Sequence, residues 1–301
     1  MAVSLTTKSP VSVRTASIRR VLWAVLFLNL LVAAAKFAYG TISGSASMQA
    51  DGIHSVFDSA GNVVGIVGIA LASRPADATH PYGHAKFETY ASLIIGLLLL
   101  LAAFEVGAAA FSKLVNQSFT AQVTPLSFVV MVSTLGVNLA VTRYERSCAR
   151  RLASEVLRAD ASHTLSDALV SVGVIIGLAL VALGIPVADP LVALLVMCAI
   201  LATAYDVFRR GLATLSDRAR IPEDEVRSFV LGIEGVQEAH HIRTRGSESE
   251  IYIDLHVLVS PEMTVSAAHS LSDAIEEQVR ARFPSVCEVL VHIEPHDGHV
   301  D

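Results

Sequence analysis

ADGIHSVFD, Ala50 to Asp58, and ADASHTLSD, Ala159 to Asp167, are one pattern written twice: A-D-x-x-H-x-x-x-D. Both copies sit in long apolar surroundings. On a helix, residues four apart share a face. His54 with Asp58, and His163 with Asp167, therefore each aim an imidazole and a carboxylate at one point. Two such segments facing each other supply four N/O ligands, a tetrahedral shell for a divalent ion such as zinc. Ionisable groups inside a membrane span cost about 2.5–3.5 kcal/mol each on insertion scales and mark function. A hydrogen-bond network between helices would not explain why the whole pattern is duplicated. Asp51 and Asp160 stand three residues before each histidine. They fit steering of ions at the two ends of a path, orientation of the ligand histidines, or a capping role.

The surroundings identify a membrane protein. Of 301 residues, 53% are hydrophobic and only 17% charged, and the mean hydropathy is +0.57. A soluble domain is about a quarter charged. Six segments are long enough to span: 18–39, 46–73, 87–112, 123–143, 159–184 and 187–207. The second and fifth carry the repeat and are the least apolar. A net charge of −6 argues against a nucleic-acid partner. Cys148, Cys198 and Cys287 have no metal or disulfide spacing.

Basic residues set the orientation. Lys8 and Arg14 precede the first span and Arg19 and Arg20 stand at its start, Arg74 and Lys86 flank the second connection, and Arg143 to Arg158 fill the fourth. The alternate connections are nearly bare. The positive-inside rule puts both termini in the cytosol. Spans two and five then run antiparallel, so their half-sites meet head to tail. Residues 1–17 read as a cytosolic tail, 18–208 as the membrane domain, and 209–301 as a cytosolic domain. In the last, a helix opens at Pro222, strands are expected over 236–244, 251–257 and 288–294, and an amphipathic helix over 266–283. The order α-β-β-α-β makes a small open α+β sandwich.

Two further groups could hold metal. In the connection after span two, Asp77, His80 and His84 form a compact set, with Pro81 and Gly83 able to turn the chain between them. In the C-terminal domain, His240, His256, His269, His292 and Glu294 are dispersed over strands and helix. His292 and Glu294 point to one face. His241, His296 and His299 read as adventitious.

These motifs resemble the cation diffusion facilitator family of proton-coupled zinc exporters. The similarity rests on the two H-x-x-x-D half-sites, on D-x-x-H-P-Y-G-H-x-K-F-E from Asp77 to Glu88, and on A-H-H-I-R-T-R, L-H-V and V-H-I-E-P in the C-terminal domain. It implies six transmembrane helices, a metallochaperone-like cytosolic domain and a homodimer. It also implies transport at His54, Asp58, His163 and Asp167, a loop site at Asp77, His80 and His84, and a regulatory paired-metal site at His240, His256, His269, His292 and Glu294. The expected function is efflux of Zn²⁺ from the cytosol across the cell membrane, with protons as counter-ion. The alternatives are Fe²⁺, Mn²⁺, Co²⁺ or Cd²⁺ as cargo, or a membrane metal sensor that does not transport. An intramembrane metallohydrolase is excluded, because no H-E-x-x-H or similar base accompanies an open metal position.

Overall fold

The computed structural model describes residues 10–43, 55, 56, 59–116, 125–183, 185 and 187–298. His54, Asp58, Asp51 and His299 lie outside them. The chain divides into two compact units, residues 1–211 and 212–301.

The first unit is helical: α1 (Pro10–Ser43), α2 (Ala60–Ala72), α3 (Lys86–Val115), α4 (Pro125–Arg151), α5 (Glu155–Ala182) and α6 (Ala188–Leu215). Prolines open α1 and α4, where a missing N–H costs nothing. Glu88 in the first turn of α3 and Lys113 in its last complement the helix dipole. By length and composition, Val13–Ala35, Lys86–Val115 and Pro190–Leu215 can each cross a membrane, and Ala60–Ala72 is a shorter apolar helix. Among the described residues α4, with Asn138 and Glu145, and α5, with Asp160, His163 and Asp167, are not in that set. Two helices outrun their apolar stretches. The connection expected over 143–158 is helix as far as Arg151, leaving a tight turn in which Ala153 has φ 45°. α6 likewise continues past 207 to Leu215. Hydropathy ends there, but no helix breaker does.

Helix α5 is the hub of this unit and packs on α2, α3 and α4. Ile18, Leu22, Ile95, Leu99, Val156, Leu157 and Ile200 form its fully buried core. Small residues bring backbones together. A Cβ at Gly68 would stand 2.2 Å from that of Ala91, so α2 and α3 touch there without side chains between them.

The second unit has α7 (Glu223–Val230), β1 (Glu238–Gly246), β2 (Ile251–Val259), α8 (Val265–Arg282) and β3 (Val286–Pro295). Sheet order is β1-β2-β3, antiparallel for the first pair and parallel for the second. The crossover through α8 is what makes β3 parallel. Ile253, Leu255 and Val257 point to one face, where Val226, Val230, Ile275 and Val279 cover them. The intervening residues, His256 among them, face the other way.

Candidate metal centres

His163 and Asp167, one turn apart on α5, line a cavity of about 520 Å³. Ser55, Glu105, Thr134, Asn138 and Ser166 also line it. His163 is 8% exposed, and both its ring nitrogens are buried with no hydrogen-bond partner among the described residues. Leaving a buried polar group unpaired costs about 1–3 kcal/mol. An imidazole in that condition beside a carboxylate could hold a metal ion. Helix α2 approaches at the same place: a Cβ on Gly61 would lie 3.3 Å from Asp160 Oδ1 and 3.6 Å from His163 Cδ2.

Asp160 does not line the cavity. It is 1% exposed and accepts a 2.5 Å hydrogen bond from Asn62 Nδ2. Asn62 in turn accepts from Asn29 at 3.0 Å. On the other side the Thr164 hydroxyl donates to Glu145 Oε2 at 3.1 Å and lies 3.2 Å from the Asp160 carbonyl oxygen. The network joins α1, α2, α4 and α5, so Asp160 holds the helix that presents His163.

A second tie secures the start of α5. Arg14 donates to Leu152 O at 2.8 Å, to Ala153 O at 3.0 Å and to Glu88 Oε2 at 3.0 Å. Ser154 Oγ donates to Glu88 Oε1 at 2.5 Å. One guanidinium thus binds α1, α3 and the turn before α5.

The loop between α2 and α3 does gather Asp77, His80 and His84, with ligand atoms within 4.8 Å of one another. Asp77 Oδ1 accepts from Thr79 Oγ1 at 2.7 Å and from the N–H groups of Thr79 and His80, each at 2.8 Å. The Thr79 hydroxyl, followed by those amides, holds this carboxyl well below the usual carboxylate range. His84 Nδ1 lies 3.1 Å from Pro75 O. A carbonyl can only accept, so Nδ1 carries a proton, and Nε2, 3.5 Å from Asp77 Oδ2, is the ring atom turned toward the carboxylate. Gly83, at φ 82°, closes the turn that brings the histidines to 4.3 Å between ring centroids.

In the second unit, His240, His256 and His292 are direct partners across β1, β2 and β3. They make a row of imidazoles on the face that the helices leave open. Glu294, two residues along β3, is their common partner: 2.7 Å from His256 Nδ1, 3.4 Å from His240 Nε2 and 3.5 Å from His292 Nε2. The first two use different carboxylate oxygens. His240 Nδ1 is buried without a partner among the described residues. Borderline imidazole donors around one carboxylate fit a zinc-like ion. His269 is not brought to this row. It lies on α8, on the covered side of the sheet, 77% exposed and 3.8 Å from Asp273. His241, read as adventitious, stacks on His256 at 5.2 Å between centroids. A bulge between His240 and Arg243, with His241 at φ 48°, turns two successive histidines toward one side.

Sequence reasoning missed Glu145, Asn62, Arg14 and Glu88. Glu145 was hidden among arginines in a stretch expected to be a connection. Glu105 was also missed, although a lone acid in the run Leu97–Phe111 is a legible signal.

Residues 22–216 match the cation efflux transmembrane domain, and residues 220–296 match the cytoplasmic domain of cation efflux proteins. An uncharacterized transporter of Methanocaldococcus jannaschii is 31% identical over 88% of this chain and 94% of its own length. The cation-efflux pump FieF of Cronobacter sakazakii is 30% identical over 92% of each. The manganese efflux system protein MneS of Bacillus subtilis is 28% identical over 88% of this chain and 91% of its own. With a buried imidazole and carboxylate facing a cavity between its helices and a histidine row on its cytoplasmic sheet, the chain belongs to the cation diffusion facilitator family, membrane transporters rather than enzymes.

Proposed function

We propose that the protein exports Zn²⁺ from the cytosol in exchange for protons, as a homodimer in the cell membrane with both termini cytosolic. The observation that carries this reading is His163, a buried imidazole with no hydrogen-bond partner among the described residues, beside Asp167 in a cavity between helices. His54 and Asp58 complete the site in this reading. Asp58 is three residues before Gly61 in the chain, within about 10 Å of reach, and Gly61 packs on His163.

A histidine must be neutral to ligate, so loading expels protons and acid outside favours release. Rocking of α2 and α5 with their neighbours would alternate access to the site. Moving a divalent ion outward against 100 mV costs about 4.6 kcal/mol, at roughly 2.3 per charge, and each returning proton offsets half of that. The cytosolic histidine row and its Glu294 would act as a metal sensor, His269 joining from the second copy because α8 keeps it off its own row. Two imidazoles favour zinc over manganese, which prefers oxygen donors. The similarity to MneS is the reason to test manganese as the second reading.

Zinc uptake into inside-out vesicles, with an imposed pH gradient, tests this. Uptake is expected to rise with the acidity of the lumen and to be competed by cobalt and cadmium more strongly than by manganese. Uptake indifferent to the gradient removes the antiport. Preferential manganese uptake reassigns the cargo. At the loop, Asp77→Asn is expected to lower the Co²⁺ bound per chain by about one equivalent while leaving transport within about twofold. An unchanged cobalt titration removes that site.

A further inference from the structure

Glu105 is the one acid in the stretch Leu97–Phe111 of α3. A carboxylate at such depth is costly and by default functional. It has no hydrogen bond or ion pair with the described residues, and it lines the cavity that holds His163 and Asp167.

Its level follows from two hydrogen bonds. Thr89 Oγ1 donates to Glu155 Oε2 at 2.8 Å, which aligns α3 with α5. Both run outward on the orientation set by the basic residues, and they pack together. Glu105 is sixteen residues beyond Thr89, and Ser171 is sixteen beyond Glu155. At 1.5 Å per residue, both stand about 24 Å along their helices, against about 18 Å for Asp167. The second bond, Thr164 Oγ1 to Glu145 Oε2, aligns antiparallel α4 with α5. Seven residues back along α4 is Asn138, and seven forward along α5 is again Ser171. Three helices therefore bring a carboxylate, an amide and a hydroxyl to one level, about one turn outward of Asp167. All three residues line the same cavity. The Asn138 side chain has no partner among the described residues. Ser171 donates to Asp167 O at 3.0 Å, leaving its oxygen lone pairs free to accept.

We propose that Glu105, Asn138 and Ser171 form an outer cation site that receives the divalent ion, still partly hydrated, as it leaves the transport site. The proposal rests on the transport reading above. All-oxygen donors hold a hydrated divalent cation, and hold a borderline ion such as zinc more loosely than imidazoles do. That order favours release. The single negative charge keeps the ion from meeting the remaining apolar turns unaccompanied.

The test uses the full chain in proteoliposomes. Zinc transport is driven from the cytosolic face, and zinc added at the outer face inhibits it. Glu105→Gln is expected to raise the outer-face concentration for half inhibition about tenfold, the equivalent of about 1.4 kcal/mol. Half saturation at the cytosolic face stays within about twofold, and Glu105→Asp restores most of the outer affinity. Asn138→Asp, which adds a carboxylate to the same level, is expected to lower the outer-face constant. A purely structural Glu105 would shift neither face selectively. An unchanged outer constant in Glu105→Gln, equal shifts on both faces, or no tightening in Asn138→Asp each overturns the proposal. Failure of the transport reading looks different: wild-type protein would then move no zinc, or Asp167→Ala would move it normally.

Discussion

Asp167→Ala is expected to cut zinc uptake into inside-out vesicles at least a hundredfold, to the background of protein-free vesicles. Of the acids on α5, Glu155 is engaged by Thr89 at the helix start and Asp160 by Asn62. Asp167 is the one that lines the cavity, one turn from His163, whose ring nitrogens have no hydrogen-bond partner among the described residues. An ion of charge +2 there depends on nearby negative charge. At an effective dielectric constant of about 20, one unit charge at 4 Å is worth about 4 kcal/mol, and twice that against a divalent ion. Even half of the latter exceeds the roughly 2.8 kcal/mol that makes a hundredfold change. Uptake survives only if the remaining ligands bind and release the ion unaided. The fold should persist, because Asp167 is only partly buried and lines the cavity rather than the apolar core. Size-exclusion elution and helical content of the variant should match wild type. Uptake within twofold of wild type, in folded protein, would falsify the assignment of the α5 half-site.

The repeat and the apolar runs made the helical membrane domain legible, because burial in lipid forces both helix and hydrophobicity. Period-two alternation in Ile251–Val257 gave β2 and its faces for a similar reason. What stayed hidden depends on partners distant in sequence. Asp160 reads equally as ion steerer, orienter or cap from sequence, because the Asn62 that donates to it lies 98 residues away. Arg14 and Glu88 are separated by 74 residues, and nothing local in either stretch announces their pairing. The limits of α4 and α6 were misjudged because hydropathy reports where lipid ends, whereas a helix continues until a residue breaks it. In the cytosolic unit, alternation fixed which face His256 takes. It could not say that parallel pairing with β3 sets His292 beside it, nor that α8 carries His269 to the other layer. The bulge at His241 breaks the alternation rule itself, which is why a histidine beside the row read as adventitious.

Glu294→Ala, in residues 212–301 expressed alone, is expected to weaken zinc binding at least about a hundredfold in calorimetry. Loss of a mere outer partner of a metal ligand costs 10–100-fold, and Glu294 stands within 3.5 Å of all three imidazoles in the row. Without it, the metal would bind three neutral histidines with no compensating charge. The histidines would also lose the acceptor that fixes the His256 tautomer at 2.7 Å. The unit has its own core on the opposite face, centred on Ile253, Leu255, Ile275 and Val279, so the substitution leaves folding intact. Because the imidazoles must be neutral to ligate, wild-type affinity should fall with acidification, and the variant should keep that dependence at its lower affinity. His269→Ala separates the two possible sources of a further ligand. In one copy, His269 is on the wrong layer to reach the row, so its removal should leave the first binding event unchanged and reduce only metal-dependent dimerisation, read by sedimentation. If His269→Ala instead weakened binding in the monomer as much as Glu294→Ala, the row would not be the site. The metal would then be held where α8 meets a surface the sheet does not provide.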